Sequence, residues 1–274
     1  APLKDTPAYR AGIKAGDKII KIDGTPSADF PPDKAIPLIK GKKGTQVKLT
    51  LAREGRDEPL EITVTRDVIK IPILDTERKQ NGIFLIKLYN FSANSAYNFR
   101  VALREFISSG SNKLIIDLRG NPGGYLESSV DMASWFLPMG DVVAREKFAN
   151  GEEVVYRSKG YDAFINLPLI LLVDGGSASA SEIFAGALRE SGKAKLVGEK
   201  TFGKGSVQQL VNITPETSLK ITVARWLTPN GVSISKDGLS PDYEVKFPKE
   251  KDKDKGEKEA LDPQMDKAIE LLSK

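Results

Sequence analysis

LILLVDGGSASASEIFAGALRESGKAKLVG, residues 169–198, decides the fold class. It opens on five large apolar residues in a row, 169–173, too short for a helix and apolar at every position. That is the pattern of a strand buried on both faces. A loop rich in glycine and serine follows, then a helix over roughly 180–190 and a second strand at 195–198. A strand, helix and strand joined this way form a right-handed crossover that brings the chain back to the same sheet edge. The class is α/β.

Working outward, the alternation continues. Residues 83–88 read as a strand, and 94–108 as a helix with Phe99, Leu103 and Phe106 on one side. Residues 114–118 form a strand that is apolar but for Asp117, and 125–137 a helix with Leu126, Val130, Ala133 and Leu137 at helical spacing. Such alternation predicts a largely parallel sheet with helices packed on it. Near the end, residues 249–255 alternate positive and negative charge at every position, which predicts a solvated linker over 249–259. Asp262-Pro263 then starts a helix over 262–273, whose stripe of Met265, Ala268, Ile269 and Leu272 predicts docking. No internal repeat is evident.

Residues 6–67 suit a separate small α/β module. A helix is expected over 7–13 with Pro near its start, a strand over 18–22 ending at the Asp23-Gly24 turn, and a helix over 34–39 closed by Gly41. Strands 46–51 and 60–65 should pair as a hairpin through Glu54-Gly55-Arg56.

Composition narrows the chemistry. The length of 274 residues suits two domains, and a hydrophobic content of 40% without a long apolar run predicts a core and no membrane span. The net charge of +4 is dispersed rather than gathered with aromatics, which argues against a nucleic-acid partner. Residues 1–10 carry no apolar signal core and read as the middle of a domain, so the natural N-terminus is expected upstream. Any membrane association would come through that missing region. There is no histidine and no cysteine, so a zinc or copper site is not expected.

The same absence shapes the catalytic candidates. In an open parallel sheet, reactive groups gather beyond the carboxyl ends of the strands. Three loops fall there: RGNPGG at 119–124, the glycine–serine loop at 175–181, and residues 199–205. A serine beside a helix N-terminus has free N–H groups near it to stabilise developing negative charge. Ser177, Ser179 and Ser181 all compete, and chemistry alone does not choose among them; Ser181 with Glu182 best fits a helix cap. Without imidazole or thiol, the base must be a lysine whose ammonium form is disfavoured, and Lys204 follows Ser179 by 25 positions. Phe202 and Val207 are expected to cover it, and the neutral amide of Gln208 to orient it. The N–H of Ala180 would supply one oxyanion donor. The turn would supply a second, from Gly124 first and Gly123 as the alternative. GEKTFGKG at 198–205 nearly spells a phosphate loop, but Gly205 stands where the hydroxyl residue belongs. Asp117, Asp174, Glu182 and Glu190 read as surface or capping carboxylates.

PAYRAGIKAGDKIIKIDG, residues 7–24, closely resembles the second half of a PDZ domain of the carboxyl-terminal processing proteases, also called tail-specific proteases. DLRGNPGG, GGSASASE and TFGKGSVQQ follow in that family's order and spacing. The resemblance implies a truncated PDZ module over 1–68, without its N-terminal carboxylate-binding loop, and a peptidase domain over 69–274. It implies a crotonase-like core in which ββα turns form a spiral. The middle serine, Ser179, becomes the nucleophile, Lys204 the base, Gln208 the third member, and Gly124 and Ala180 the oxyanion donors, with Glu190 as acidic support. The implied activity is endoproteolysis of proteins or peptides selected through exposed C-termini, by way of an acyl-enzyme and without metal or cofactor. It leaves room for an activating adaptor and a homo-oligomer without fixing either, and it implies an extracytoplasmic address, either the bacterial periplasm and cell envelope or the thylakoid lumen of a plant. Two other readings are a latent peptide-binding scaffold and a crotonase-fold enzyme handling acyl-CoA. The separation of Ser179 Oγ from Lys204 Nζ is the deciding distance: hydrogen-bonding range in an active form, several ångströms more in a latent one.

Overall fold

The computed structural model describes residues 2, 6–14, 16–29, 32–53, 55–56, 58–69, 72–164, 166–214, 217–235, 237–247 and 262–273. The expected linker at 249–259 lies outside them. The chain divides into two compact units, Ala1–Ile71 and Pro72–Lys274.

The first unit holds helices α1 (Pro7–Arg10) and α2 (Pro32–Ile39) and strands β1 (Lys18–Ile22), β2 (Thr25–Pro26), β3 (Gln46–Ala52) and β4 (Leu60–Thr65). The strands form one antiparallel sheet in the order β2-β1-β3-β4. The 46–51/60–65 hairpin pairs as its alternation requires, from Gln46 opposite Thr65 to Leu51 opposite Leu60. Ile22, Val47, Leu49, Leu51 and Val64 make its core. Helix α1 is three residues shorter than 7–13, because Gly12 inside that span adopts φ +85° and turns the chain out of the helix.

The second unit is built on a six-stranded sheet of β5 (Leu74–Arg78), β6 (Ile83–Leu88), β7 (Lys113–Asp117), β10 (Leu169–Val173), β11 (Lys195–Gly198) and β14 (Tyr243–Glu244). Their order is β14-β11-β10-β7-β6-β5, parallel throughout except for the β5 edge. Helices α3 (Ser95–Ser108), α4 (Leu126–Ala133), α5 (Ala180–Glu190) and α6 (Pro263–Ser273) accompany it. The two-residue period of a strand splits each apolar run between two cores. Phe84, Ile86, Leu88, Leu114, Ile116, Leu169, Leu171 and Val173 join α3, α4 and α5 in the larger core. Ile83, Leu85, Ile115, Ile170, Leu172 and Val197 point the other way, onto Met265, Ala268 and Leu272 of α6. Each fully buried side chain of this size contributes about 1.5–3 kcal/mol relative to exposure.

Two readings need correction. Helix α4 ends at Ala133 rather than 137, because Trp135 and Phe136 donate to carbonyls three residues back and Pro138 follows. A second sheet was not foreseen: β8 (Val142–Phe148), β9 (Glu153–Arg157), β12 (Ser206–Asn212) and β13 (Ser218–Leu227), antiparallel in the order β12-β13-β8-β9.

Candidate active site

Strands β11, β10 and β7 are consecutive neighbours in the sheet, so the three glycine-rich loops leave its carboxyl end side by side. Hydrogen bonds knit them. Gly120 N–H donates to Asp174 Oδ1 at 2.8 Å, Ala178 N–H to the Asn121 carbonyl at 3.0 Å, and Phe202 N–H to the Ser177 carbonyl at 3.0 Å. A Cβ on Gly123 would sit 2.5 Å from the Ala178 carbonyl and 2.8 Å from Ser179 Cβ, so only glycine lets the 119–124 turn lie this close.

The geometry separates the three serines. Ser177 is fully buried and its hydroxyl donates to the Leu118 carbonyl at 2.8 Å. Ser181 is equally buried and donates to the Asn121 carbonyl at 3.0 Å. Both hold loops together. Ser179 is half-buried, and no side chain among the described residues is hydrogen-bonded to its hydroxyl. It is also the N-cap of α5, at φ +55° and ψ −116°, where a residue with a Cβ sits only when its surroundings hold it. The cap is therefore Ser179 with Glu182 at the third helical position, not Ser181.

Glu182 is the residue that sequence reasoning dismissed. Its carboxylate is fully buried and accepts four hydrogen bonds: Ser179 N–H (2.9 Å), Lys204 N–H (2.9 Å), Gly203 N–H (2.8 Å) and the Thr201 hydroxyl (2.6 Å). A buried carboxylate is tolerated when donors replace its water, and here they come from two different loops. Ser179 and Lys204 donate to the same oxygen, so their backbone nitrogens lie within about 6 Å of each other. The available signal was the S-x-x-E spacing of a capping box, 179 to 182. Nothing local announced the second loop.

The two proposed oxyanion donors are both open. Neither Gly124 N–H nor Ala180 N–H has a partner among the described residues. Gly124 has φ +147° and a Cβ there would meet the Phe91 carbonyl at 2.2 Å, so the turn admits no other residue. The N–H of Gly123, the alternative, is already given to Asn121 Oδ1 at 2.9 Å.

The lysine side is less assembled. Lys204 is anchored by its backbone, but its side chain is exposed and no hydrogen bond or ion pair joins its ammonium to Ser179, Gln208 or any other described side chain. Phe202 does not cover it, being 63% exposed; Val207 faces the main core. Gln208 lies on the edge strand β12, just past a bulge, and is exposed. Glu190 sits at the far end of α5, where it accepts from Asn230 N–H at 2.8 Å and so holds a turn.

Residues 82–245 match peptidase family S41, and residues 1–53 a PDZ domain. The chain is 38% identical over 248 residues to the carboxy-terminal processing protease CtpA of Bacillus subtilis, covering 90% of this chain and 53% of that one. It is 38% identical over 252 residues to the carboxyl-terminal-processing protease of a Synechocystis species, covering 90% and 58%. Among solved structures it resembles a photosystem II D1 C-terminal processing protease, with a TM-score of 0.65 and 30% identity over 87% of this chain and 65% of that one. The chain thus spans little more than half the length of the curated relatives it matches.

Proposed function

Since this chain belongs to peptidase family S41, we propose that it is a serine endopeptidase working through Ser179 and Lys204, with protein substrates selected through their C-terminal region. The observation that carries this reading is a Ser179 hydroxyl that no other side chain holds, on a strained helix entry packed against a turn whose Gly124 N–H is free, with the Ala180 N–H also free. In the reaction, Ser179 Oγ attacks the scissile carbonyl and its proton passes to neutral Lys204 Nζ. The oxyanion is held by the two amides. The C–N bond then breaks, Lys204 returns the proton to the leaving amine, and an ester on Ser179 remains. Water enters, gives a proton to Lys204 and hydrolyses the ester, and the proton returns to Ser179.

An exposed ammonium is a poor general base, since water stabilises its charge. The lysine has to be covered and aligned, and a bound substrate strand beside β12 would do both. Gln208, four residues on, would then accept from the amine. The open Ser179–Lys204 pair supports reading this conformation as a resting form of the same enzyme. An acyl-CoA reading leaves both residues without a role. The family resemblance further supports a crotonase-like core and an extracytoplasmic address. Among the described residues no helix is long and apolar enough to cross a membrane.

The test is covalent. A fluorophosphonate should label the chain at Ser179, and Lys204→Ala should abolish labelling and turnover without unfolding the protein. Undiminished proteolysis in Ser179→Ala or in Lys204→Ala would refute the mechanism.

A further inference from the structure

The oxyanion turn begins at Arg119, whose side chain does not face the reacting atoms. Its Nε and Nη2 donate to Asp117 at 2.9 and 2.7 Å, and its Nη1 and Nη2 donate to the two oxygens of Asp262, both at 2.8 Å. Nη1 also reaches Gln264 Oε1 at 3.1 Å, and the Phe247 ring stacks beside the guanidinium. Asp117 and Arg119 are nearly buried, at 2% and 13% side-chain exposure.

Asp117, two residues away on the same strand end, already neutralises Arg119. The second carboxylate is not needed for charge balance, and it arrives from 143 positions further along the chain. Its other contact explains it. Asp262 Oδ1 also accepts Met265 N–H at 3.0 Å, so it caps α6, while Gln264 Nε2 holds the Val245 carbonyl at 2.7 Å. One oxygen therefore starts the C-terminal helix and grips the residue that starts the oxyanion turn. From Arg119 the chain runs through Gly120, held by Asp174, and Asn121, which fixes Gly123 N–H, directly to the free N–H of Gly124.

We propose that Arg119 is a positioning residue through which the docked C-terminal helix α6 sets the oxyanion turn, so that docking of α6 tunes hydrolysis. This rests on the Ser179 peptidase reading. The helix acts at a distance from the reacting atoms, through a joint that is rigid because it is bidentate on both sides. Burial pushes the Asp262 carboxyl up, but the Arg119 guanidinium overrides it and holds the group below the usual carboxylate range, so the joint persists at neutral pH.

Asp262→Asn is the decisive variant, because asparagine still caps α6 but loses the second charged bond to Arg119. Turnover of an unstructured fluorescent peptide, per Ser179 titrated with fluorophosphonate, should fall roughly tenfold in kcat with KM within about twofold, and Asp262→Glu should recover part of it. Asp266→Asn, on the same first turn and exposed, should leave both parameters unchanged. Amide hydrogen exchange in 119–124 should accelerate in Asp262→Asn alone. Unchanged exchange in that turn, or an unchanged kcat with accelerated exchange, overturns the proposal. Exchange needs no catalysis, so a wild-type chain that fails to label at Ser179 would refute the peptidase reading while leaving the joint itself measured.

Discussion

Glu182→Gln should damage stability and site assembly together, because one carboxylate holds both loops. Its four accepted bonds fall as two per oxygen: Ser179 N–H and Lys204 N–H on Oε2, Thr201 hydroxyl and Gly203 N–H on Oε1. Glutamine keeps one acceptor oxygen and turns an NH2 toward the other pair of donors. At least two bonds are lost, and each hydrogen bond to a buried charged group is worth about 1.5–3 kcal/mol, so roughly 3–6 kcal/mol is at stake before relaxation. For a unit of this size, where 1 kcal/mol moves Tm by about 2–4 °C, the melting temperature should drop by roughly 6–24 °C. Thr201→Val keeps the carboxylate and should cost less, about 1–3 kcal/mol. Differential scanning calorimetry gives the first number, and the fluorophosphonate labelling rate of Ser179, measured well below the transition, gives the second. That rate should fall at least tenfold in Glu182→Gln, since both the strained N-cap and the lysine loop lose their shared anchor. A variant melting within about 2 °C of wild type and labelling at the wild-type rate would refute the reasoning.

Gly124→Ala should abolish turnover while leaving the fold cooperative, because the new Cβ meets the Phe91 carbonyl at 2.2 Å and must swing the 124 amide away from the oxyanion position; kcat within threefold of wild type would contradict it. In the first unit, Asp17 is held down to about 2 by the Arg53 guanidinium, at 2.7 and 2.8 Å, and by Lys14 N–H at 2.8 Å. Its folded pKa lies below the unfolded value of about 3.9, so its stabilisation is complete above that pH and disappears as pH falls towards 2. Urea unfolding of wild type and Asp17→Asn should therefore differ by a constant amount above about pH 5 and converge between about pH 4 and 2. A gap that persists at pH 2 would show that the Arg53 pair is not its source.

The sequence by itself settled what short-range patterns settle. Runs such as 83–88 and 169–173 read as strands, and 169–173, apolar at every position, as one buried on both faces. The stripe of Met265, Ala268, Ile269 and Leu272 announced a docked helix. The lack of histidine and cysteine reduced the search for a base to lysine. The antiparallel sheet escaped notice because its strands do not alternate cleanly: β12 is an exposed edge with a bulge, and the outer half of β13 stands in water. Tertiary structure alone showed which serines are tied to distant carbonyls, Ser177 to one 59 positions away and Ser181 to one 60 positions away. It also decided which glycine amide is open, that Phe202 lies in solvent, and that Glu182 and Asp262 tie the site to distant segments. The physical reason is that the partners of a polar atom are fixed by whatever the fold brings within about 3 Å of it, and no local pattern encodes a neighbour that arrives from another loop.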